Sequence, residues 1–179
     1  MDSSPGLPQY ITSLEEILWG SLLVAFTLTI HGFGMLWTLR GSNAFKARFG
    51  QRPSFVLGMS NLILASWMVT FVHIFEVMLW ASFFQWQHCF VNYSTAAYFA
   101  LMDYTTVGSK YNLPQNWRLL EGMLAIAGLL GFAWSTGILL TLAQQFQDQQ
   151  MQLRKRPQRK QGTHPAPAPS PHADTTRHD

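Results

Sequence analysis

Apolar residues run along this chain in three long uninterrupted stretches, and polar residues collect between and after them. Residues 17–39 contain no Lys, Arg, Asp or Glu, residues 55–84 contain Glu76 alone, and residues 119–142 contain Glu121 alone. A helix crossing a bilayer needs about 20 apolar residues at a 1.5 Å rise, and each stretch meets that length. Backbone in lipid must satisfy its own hydrogen bonds, so the stretches are predicted to be helices. A fourth, shorter segment, 94–104, places apolar side chains at Ala97, Phe99, Ala100, Leu101 and Met102. It is too short to span and too apolar for a surface loop, which predicts a re-entrant helix leading into non-helical backbone. Such backbone is tolerated at membrane depth only inside protein or against an aqueous cavity. The fold class expected is an all-α membrane protein with three transmembrane helices, a re-entrant helix and a loop after it.

Charge then orients the spans. Only 12% of residues are charged against 48% hydrophobic, where charged residues make up about a quarter of a soluble domain. Arg40, Lys46, Arg48 and Arg52 follow the first stretch, and Arg154, Lys155, Arg156, Arg159 and Lys160 follow the third. Before the first lie Asp2, Glu15 and Glu16 and no basic residue. Basic segments stay cytoplasmic, so the N-terminus is expected outside and the tail inside, in a multi-pass protein of the cytoplasmic membrane. The first stretch lacks a basic leader and exceeds a signal core, so it is expected to be a retained anchor. The basic clusters imply attraction to membrane lipids and, lacking interleaved aromatics, no nucleic-acid partner. Cys89 is alone, which excludes an internal disulfide framework.

The domains expected are an extracytoplasmic segment at 1–14, a first helix with a basic loop at 15–53, and a second helix, re-entrant helix, loop and third helix at 54–148. A basic, Pro-rich disordered tail is expected at 149–179. Thr12-Ser13-Leu14-Glu15 has the pattern of a helix N-cap with an acidic first turn. His164, His172 and His178 in the tail read as solvated side chains.

The chemistry concentrates after the re-entrant helix. The residues Ala97-Tyr98-Phe99-Ala100-Leu101, Tyr104-Thr105-Thr106-Val107-Gly108, Leu113-Pro114, Trp117-Arg118-Leu119-Leu120-Glu121, Gly128-Leu129-Leu130-Gly131-Phe132 and Trp134-Ser135-Thr136 stand in the order of a potassium-channel pore. The region from His73 to Phe146 resembles the small prokaryotic ion-channel proteins of the potassium-channel superfamily. The resemblance implies a homotetrameric pore in which stacked backbone carbonyls replace the hydration shell of K⁺. It implies an ion pathway along Thr105, Thr106, Val107, Gly108, Ser109 and Lys110, with the carbonyls of 106–109 lining it. Asp103, Tyr104, Tyr111, His73, Glu76 and Trp80 would support that loop. No cofactor is implied beyond the transported monovalent cation, K⁺ by resemblance, and no enzymatic activity.

The family pattern then breaks. Ser109-Lys110-Tyr111-Asn112 stands where the family has Tyr-Gly-Asp. Lys110 falls at a position where the family's glycine takes positive φ, at a cost of ~1–2 kcal/mol for an L-residue. Four lysines at about 10 Å in water-like dielectric would repel a monovalent cation by ~1–2 kcal/mol in total. The expected filter is therefore altered, and a non-conducting regulatory subunit is an alternative. Asp103, poorly placed for the helix dipole, needs a local partner, with Tyr104 and Lys110 as candidates.

His73 and Glu76 share a face of the second helix, and intramembrane ionisable groups face a bundle interior or cavity. A polar brace is the first reading, a metal site or an acid–base pair the others. His31 reads as a buried, hydrogen-bonded histidine, or with His73 as axial ligands of a haem. The small residues Gly122, Gly128, Gly131, Ser135 and Gly137 on the third helix allow close packing or line a cavity. The tryptophans near the span ends read as interfacial anchors.

Overall fold

The computed structural model describes residues 11–49 and 54–161. Four α-helices follow in order: α1 Leu14–Phe49, α2 Phe55–Trp86, α3 Tyr93–Tyr104 and α4 Leu119–Gln161, with a 3₁₀ turn at Gln115–Trp117 before the last. Three are long and apolar enough to cross a membrane, and α3 is the short helix expected between the second and third. The protein is all-helical, as its hydrophobic pattern predicts.

Each helix starts and stops for local reasons. Ser13 caps α1, its Oγ accepting the Glu16 amide at 3.1 Å, and Glu15 and Glu16 occupy the first turn. Lys46 and Arg48 occupy its last turn, the favourable end for cations. The helix α2 ends where His88 takes a left-handed φ of 55° and the Cys89 amide reaches back to the Phe84 carbonyl.

Two boundaries differ from expectation. Arg40, Lys46 and Arg48 lie on α1 itself and not in a loop, because 36 residues carry it to Phe49, about 54 Å at 1.5 Å per residue. At the other end α4 runs on to Gln161, so residues 149–161, expected as the start of a disordered tail, are helical. The Gln-, Lys- and Arg-rich sequence there is made of good helix formers, which sustain the helix past Pro157. The remainder of the expected tail, 162–179, lies outside the described residues, as do 1–10 of the N-terminal segment and Arg52.

Side-chain pairs fix the packing. Trp19 packs tilted against Phe83 and edge-on to Trp86, the Trp80 indole donates to Thr27 Oγ1 at 3.0 Å, and Asn61 donates to Ser42 Oγ at 2.8 Å. These pairs run in opposite senses, so α1 and α2 are antiparallel. Glu16 accepts the Leu119 amide, and Lys46 donates to Gln145 Oε1 at 2.7 Å, so α1 and α4 are parallel. Glu16 thereby satisfies one of the orphan amides at the start of α4. This register puts Lys46 and Arg48 at the same end of the bundle as the polar stretch of α4, in accord with two basic clusters on one side.

The short helix is held by one face. Ala96, Phe99, Ala100 and Tyr104 are buried and share a helical stripe, with Phe99 against Phe84 and Phe90. Its other face, with Tyr98 and Leu101, is exposed in the single chain. The bundle as a whole is greasy outside: only 28%, 22% and 28% of the most apolar windows of the three spans are buried within the chain. Lipid or further chains must cover the rest.

Candidate functional site

The loop after α3 is built as a helix C-cap that leaves its carbonyls free. The amides of Val107 and Gly108 both donate to the Met102 carbonyl, at 2.9 and 3.1 Å, and the Thr106 amide donates to Asp103 at 3.0 Å. The Ser109 amide faces the Asp103 carboxylate and favours its charged form. All peptide bonds are trans, and in a planar trans peptide the C=O points opposite to the N–H it is bonded to. Four amides aimed at the end of α3 therefore turn the carbonyls of Thr105, Thr106, Val107 and Gly108 away from it. The expected set ran from Thr106 to Ser109; the set fixed by these bonds begins one residue earlier. Thr106, Val107 and Gly108 are exposed in the single chain.

Left-handed backbone makes this turn, and it falls at Thr106 (φ 61°) and Gly108 (φ 79°). Lys110 does not have positive φ, contrary to the expectation from the family pattern. The strain expected there falls instead on Thr106, where a β-branched residue at positive φ is an outlier. Gly108 takes the second such position without a Cβ penalty. Lys110 is exposed and lies over the Tyr111 ring at 5.3 Å. The Ser109 hydroxyl donates to the Tyr111 carbonyl at 2.8 Å and accepts its amide at 3.1 Å. Tyr111 thus braces the outer part of the loop, its ring edge-on to Tyr98 and Phe90.

The partner of Asp103 is the Ser109 backbone amide, not Tyr104 or Lys110. Burial, and then the Glu121 carboxylate, push its carboxyl up from 3.8 to about 6, against the pull of that amide. Glu121 is itself fixed by the Leu113 amide at 2.8 Å. Because the folded value lies above the ordinary one, the protonated form favours the fold. Its contribution is complete below pH 3.8 and fades as pH rises through about 6. Carbon NMR of labelled Asp side chains should show one carboxyl titrating near pH 6. Glu121→Gln, which keeps the acceptor for Leu113, should move that midpoint down. An unmoved midpoint would remove Glu121 from the account.

Behind the loop lies a buried polar cluster drawn from every helix. The His31 Nδ1 from α1 contacts Glu76 Oε1 at 2.9 Å, and the Tyr104 hydroxyl donates to Glu76 Oε2 at 2.5 Å. His73 Nδ1 contacts the Tyr104 hydroxyl at 2.8 Å. Ser135 Oγ from α4 lies 3.0 Å from His73 Nε2 and 3.1 Å from His31 Nε2. The five side chains close into a ring. His31, Glu76 and Tyr104 are wholly or almost wholly buried. The ring ties the last residue of α3 to all three spans, which is the polar-brace reading of His73 and Glu76. Trp80 sits one turn along α2 from Glu76, bonded to Thr27 and packed in the apolar core with Phe84. Its hydrogen bond is to α1.

The helix α4 is notched to receive this ring. A Cβ at Gly128 would lie 2.0 Å from the Tyr104 carbonyl oxygen, and one at Gly131 would lie 3.1 Å from its hydroxyl and 3.4 Å from His31 Nδ1. Gly128, Gly131 and Ser135 follow a helical i, i+3, i+7 line. Gly122 and Gly137, grouped with them in the sequence, face open space in the single chain.

The other readings of the histidines can be weighed on distance. One ligand atom from each of His31, His73 and Glu76 lies within 4.8 Å of the others, the composition of a metal site. Every one of those atoms is already within hydrogen-bond distance of a ring partner, which is the geometry of shared protons. A haem between His31 and His73 does not fit: the rings are in tilted contact at 5.1 Å between centroids, and the Ser135 hydroxyl joins their Nε2 atoms.

Residues 63–145 match a protein family described as ion channel. The matched segment takes in most of α2, all of α3 and the carbonyl-bearing loop, and α4 as far as Gln145; it leaves α1 outside. Neither a curated protein nor a solved structure matches the chain. That family is one of ion channels and not of enzymes, and residues 63–145 are accordingly an ion-channel pore domain, carried by a multi-pass membrane protein of three apolar spans.

Proposed function

We propose that this protein is a passive, tetrameric cation pore related to potassium channels, with an altered filter formed by residues 105–110 of each chain. The observation that carries the reading is the row of free carbonyls on Thr105, Thr106, Val107 and Gly108, presented on exposed backbone at the end of a helix too short to span. Carbonyl rings of this kind strip and replace the water around a cation. Asp103, behind the row, adds a charge that changes near pH 6. The exposed face of α3 supplies surface for neighbouring copies. The basic residues at one end of the bundle support a topology with that end in the cytoplasm and the loop outside.

Lys110 sets the expected conductance. It stands exposed beside the carbonyl row and holds no strained backbone, so its effect is purely electrostatic. Four such charges at about 10 Å oppose cation entry by ~1–2 kcal/mol at low ionic strength, and less at high salt. Lys110→Ala should raise K⁺ flux into liposomes by about five- to thirtyfold at low salt, with the gain shrinking as salt is added. Ser109→Tyr restores a family residue and should shift the ratio of K⁺ to Na⁺ flux. Cross-linking in mild detergent should stop at four chains. A clean monomer, or folded parent and variants that all pass no cation, would overturn the pore; folded tetramers without flux would point to a regulatory subunit.

A further inference from the structure

The ring of Glu76, His31, Ser135, His73 and Tyr104 contains five heavy-atom contacts of 2.5–3.1 Å. A contact this short between nitrogen or oxygen atoms needs a proton in it, because two lone pairs at that distance repel. The side chains do not bring enough. Each neutral imidazole carries one N–H, the serine and the tyrosine carry one O–H each, and a carboxylate carries none. That supplies four protons for five contacts. Met35 Sδ, 3.9 Å from Ser135 Oγ, is a weaker competing acceptor and adds no donor.

We propose that the ring is a binding site for one additional proton, taken up from solution and held between Glu76 and the two histidines. With five protons every contact is made and the ring is neutral overall. The arrangements are few. An ionised Glu76 can face an imidazolium at His31, with Ser135 donating to His73. The imidazolium can sit at His73 instead, with Ser135 donating to His31. A protonated Glu76 can donate to His31, and the donors then run once round the ring. Moving between them needs proton shifts along existing hydrogen bonds and no rotation of a helix. With four protons, one contact opens and a net negative charge remains at a depth where it is costly.

No other ionisable group among the described residues competes for this proton. From α1 the ring meets His31, from α2 His73 and Glu76, and from α3 Tyr104. From α4 it meets Ser135, Gly131, Phe132 and Trp134, none of them titratable. Asp103, the neighbour of Tyr104, turns to the Ser109 amide. The proton therefore belongs to the ring, and it secures Tyr104, whose backbone begins the carbonyl-bearing turn.

A glutamine at position 76 separates this account from a static brace. Its amide brings the missing donor, and its carbonyl accepts from Tyr104 or His31. Glu76→Gln closes all five contacts with both histidines neutral. The experiment is ¹⁵N NMR of histidine-labelled full-length protein in lipid nanodiscs at neutral pH, with infrared detection of the carboxyl band. Wild type should show one extra proton per chain, seen as one buried imidazolium or as one protonated buried carboxyl. Glu76→Gln should show neither. An ionised Glu76 beside two neutral imidazoles in wild type at neutral pH overturns the proposal, and that spectrum decides even if the variant does not fold. A stoichiometric metal that survives chelation also overturns it, because ligand nitrogens cannot carry the ring's protons. None of these readouts requires conduction, so the result stands apart from the pore reading.

Discussion

Gly128→Ala should displace the end of the pore-domain helix α3 and destabilise the chain by about 3 kcal/mol, the upper part of the range for overpacking a closed interior. The added methyl would lie 2.0 Å from the Tyr104 carbonyl oxygen and 3.0 Å from its carbon. Those atoms are backbone, so no side-chain rotation relieves the clash. Either α4 moves off α3, or Tyr104 moves and carries Thr105 and Thr106 with it. The substitution favours helix intrinsically, since Ala exceeds Gly by about 1 kcal/mol in a helix interior, and the packing cost must exceed that gain. Gly137→Ala is the control, because its Cβ meets nothing within 4 Å in the single chain. Unfolding by denaturant in mixed micelles should place the two variants on opposite sides of wild type. Equal midpoints would mean that α4 is not seated on Tyr104. In flux measurements Gly128→Ala should also lose conductance in whatever fraction remains folded, since the carbonyl row starts at Thr105, the residue after the displaced one.

The features written in short windows of sequence were legible. Length and apolarity marked the three spans, and brevity marked α3 as a short helix between the second and third. Ser13 announced the start of α1 by its side-chain chemistry. The loop was legible as a carbonyl-bearing turn, but not its register. Which residues take positive φ depends on how the amides of Thr106, Val107 and Gly108 close on Met102 and Asp103, and Lys110 lies beyond that closure. The boundary drawn at 149 follows composition, which marks where the apolar stretch ends, while the helix itself runs on to Gln161. Gln, Lys and Arg continue α4 well past its apolar stretch.

The polar ring was only half legible. His73 and Glu76 share a turn of α2, so spacing alone pairs them. Glu76 meets His31 across 45 positions, and Ser135 meets His31 across 104. No periodicity within one helix carries such a pairing; it follows from the antiparallel register of α1 on α2 and the parallel register of α1 on α4. Ser135 stood in view as one of a line of small residues. What assigns it to the ring is its hydroxyl at the level of the two histidines, one turn beyond Gly131.

Glu76→Ala should cost more than any other single change in the ring, about 3–5 kcal/mol, the range for removing one partner of a buried ionic or charge-assisted pair. The carboxyl group is hydrogen-bonded to both His31 and Tyr104, so its removal strands two buried polar partners and leaves a gap in a closed core. Glu76→Gln keeps the volume and restores both contacts, and its cost should be about 1 kcal/mol, the worth of exchanging a charged hydrogen bond for a neutral one. Tyr104→Phe should fall between them, because it strands Glu76 Oε2 and His73 Nδ1 while retaining the ring's packing. The double variant Glu76→Ala with Tyr104→Phe should cost less than the sum of the singles, since the second change removes a donor that the first had already stranded. Denaturant unfolding of the set in mixed micelles gives all of these values together. If Glu76→Ala unfolds at the same midpoint as Glu76→Gln, the carboxylate is not the acceptor that closes the ring. If the double cycle is additive, Glu76 and Tyr104 act separately, and α3 is then held by its apolar stripe of Ala96, Phe99 and Ala100 alone.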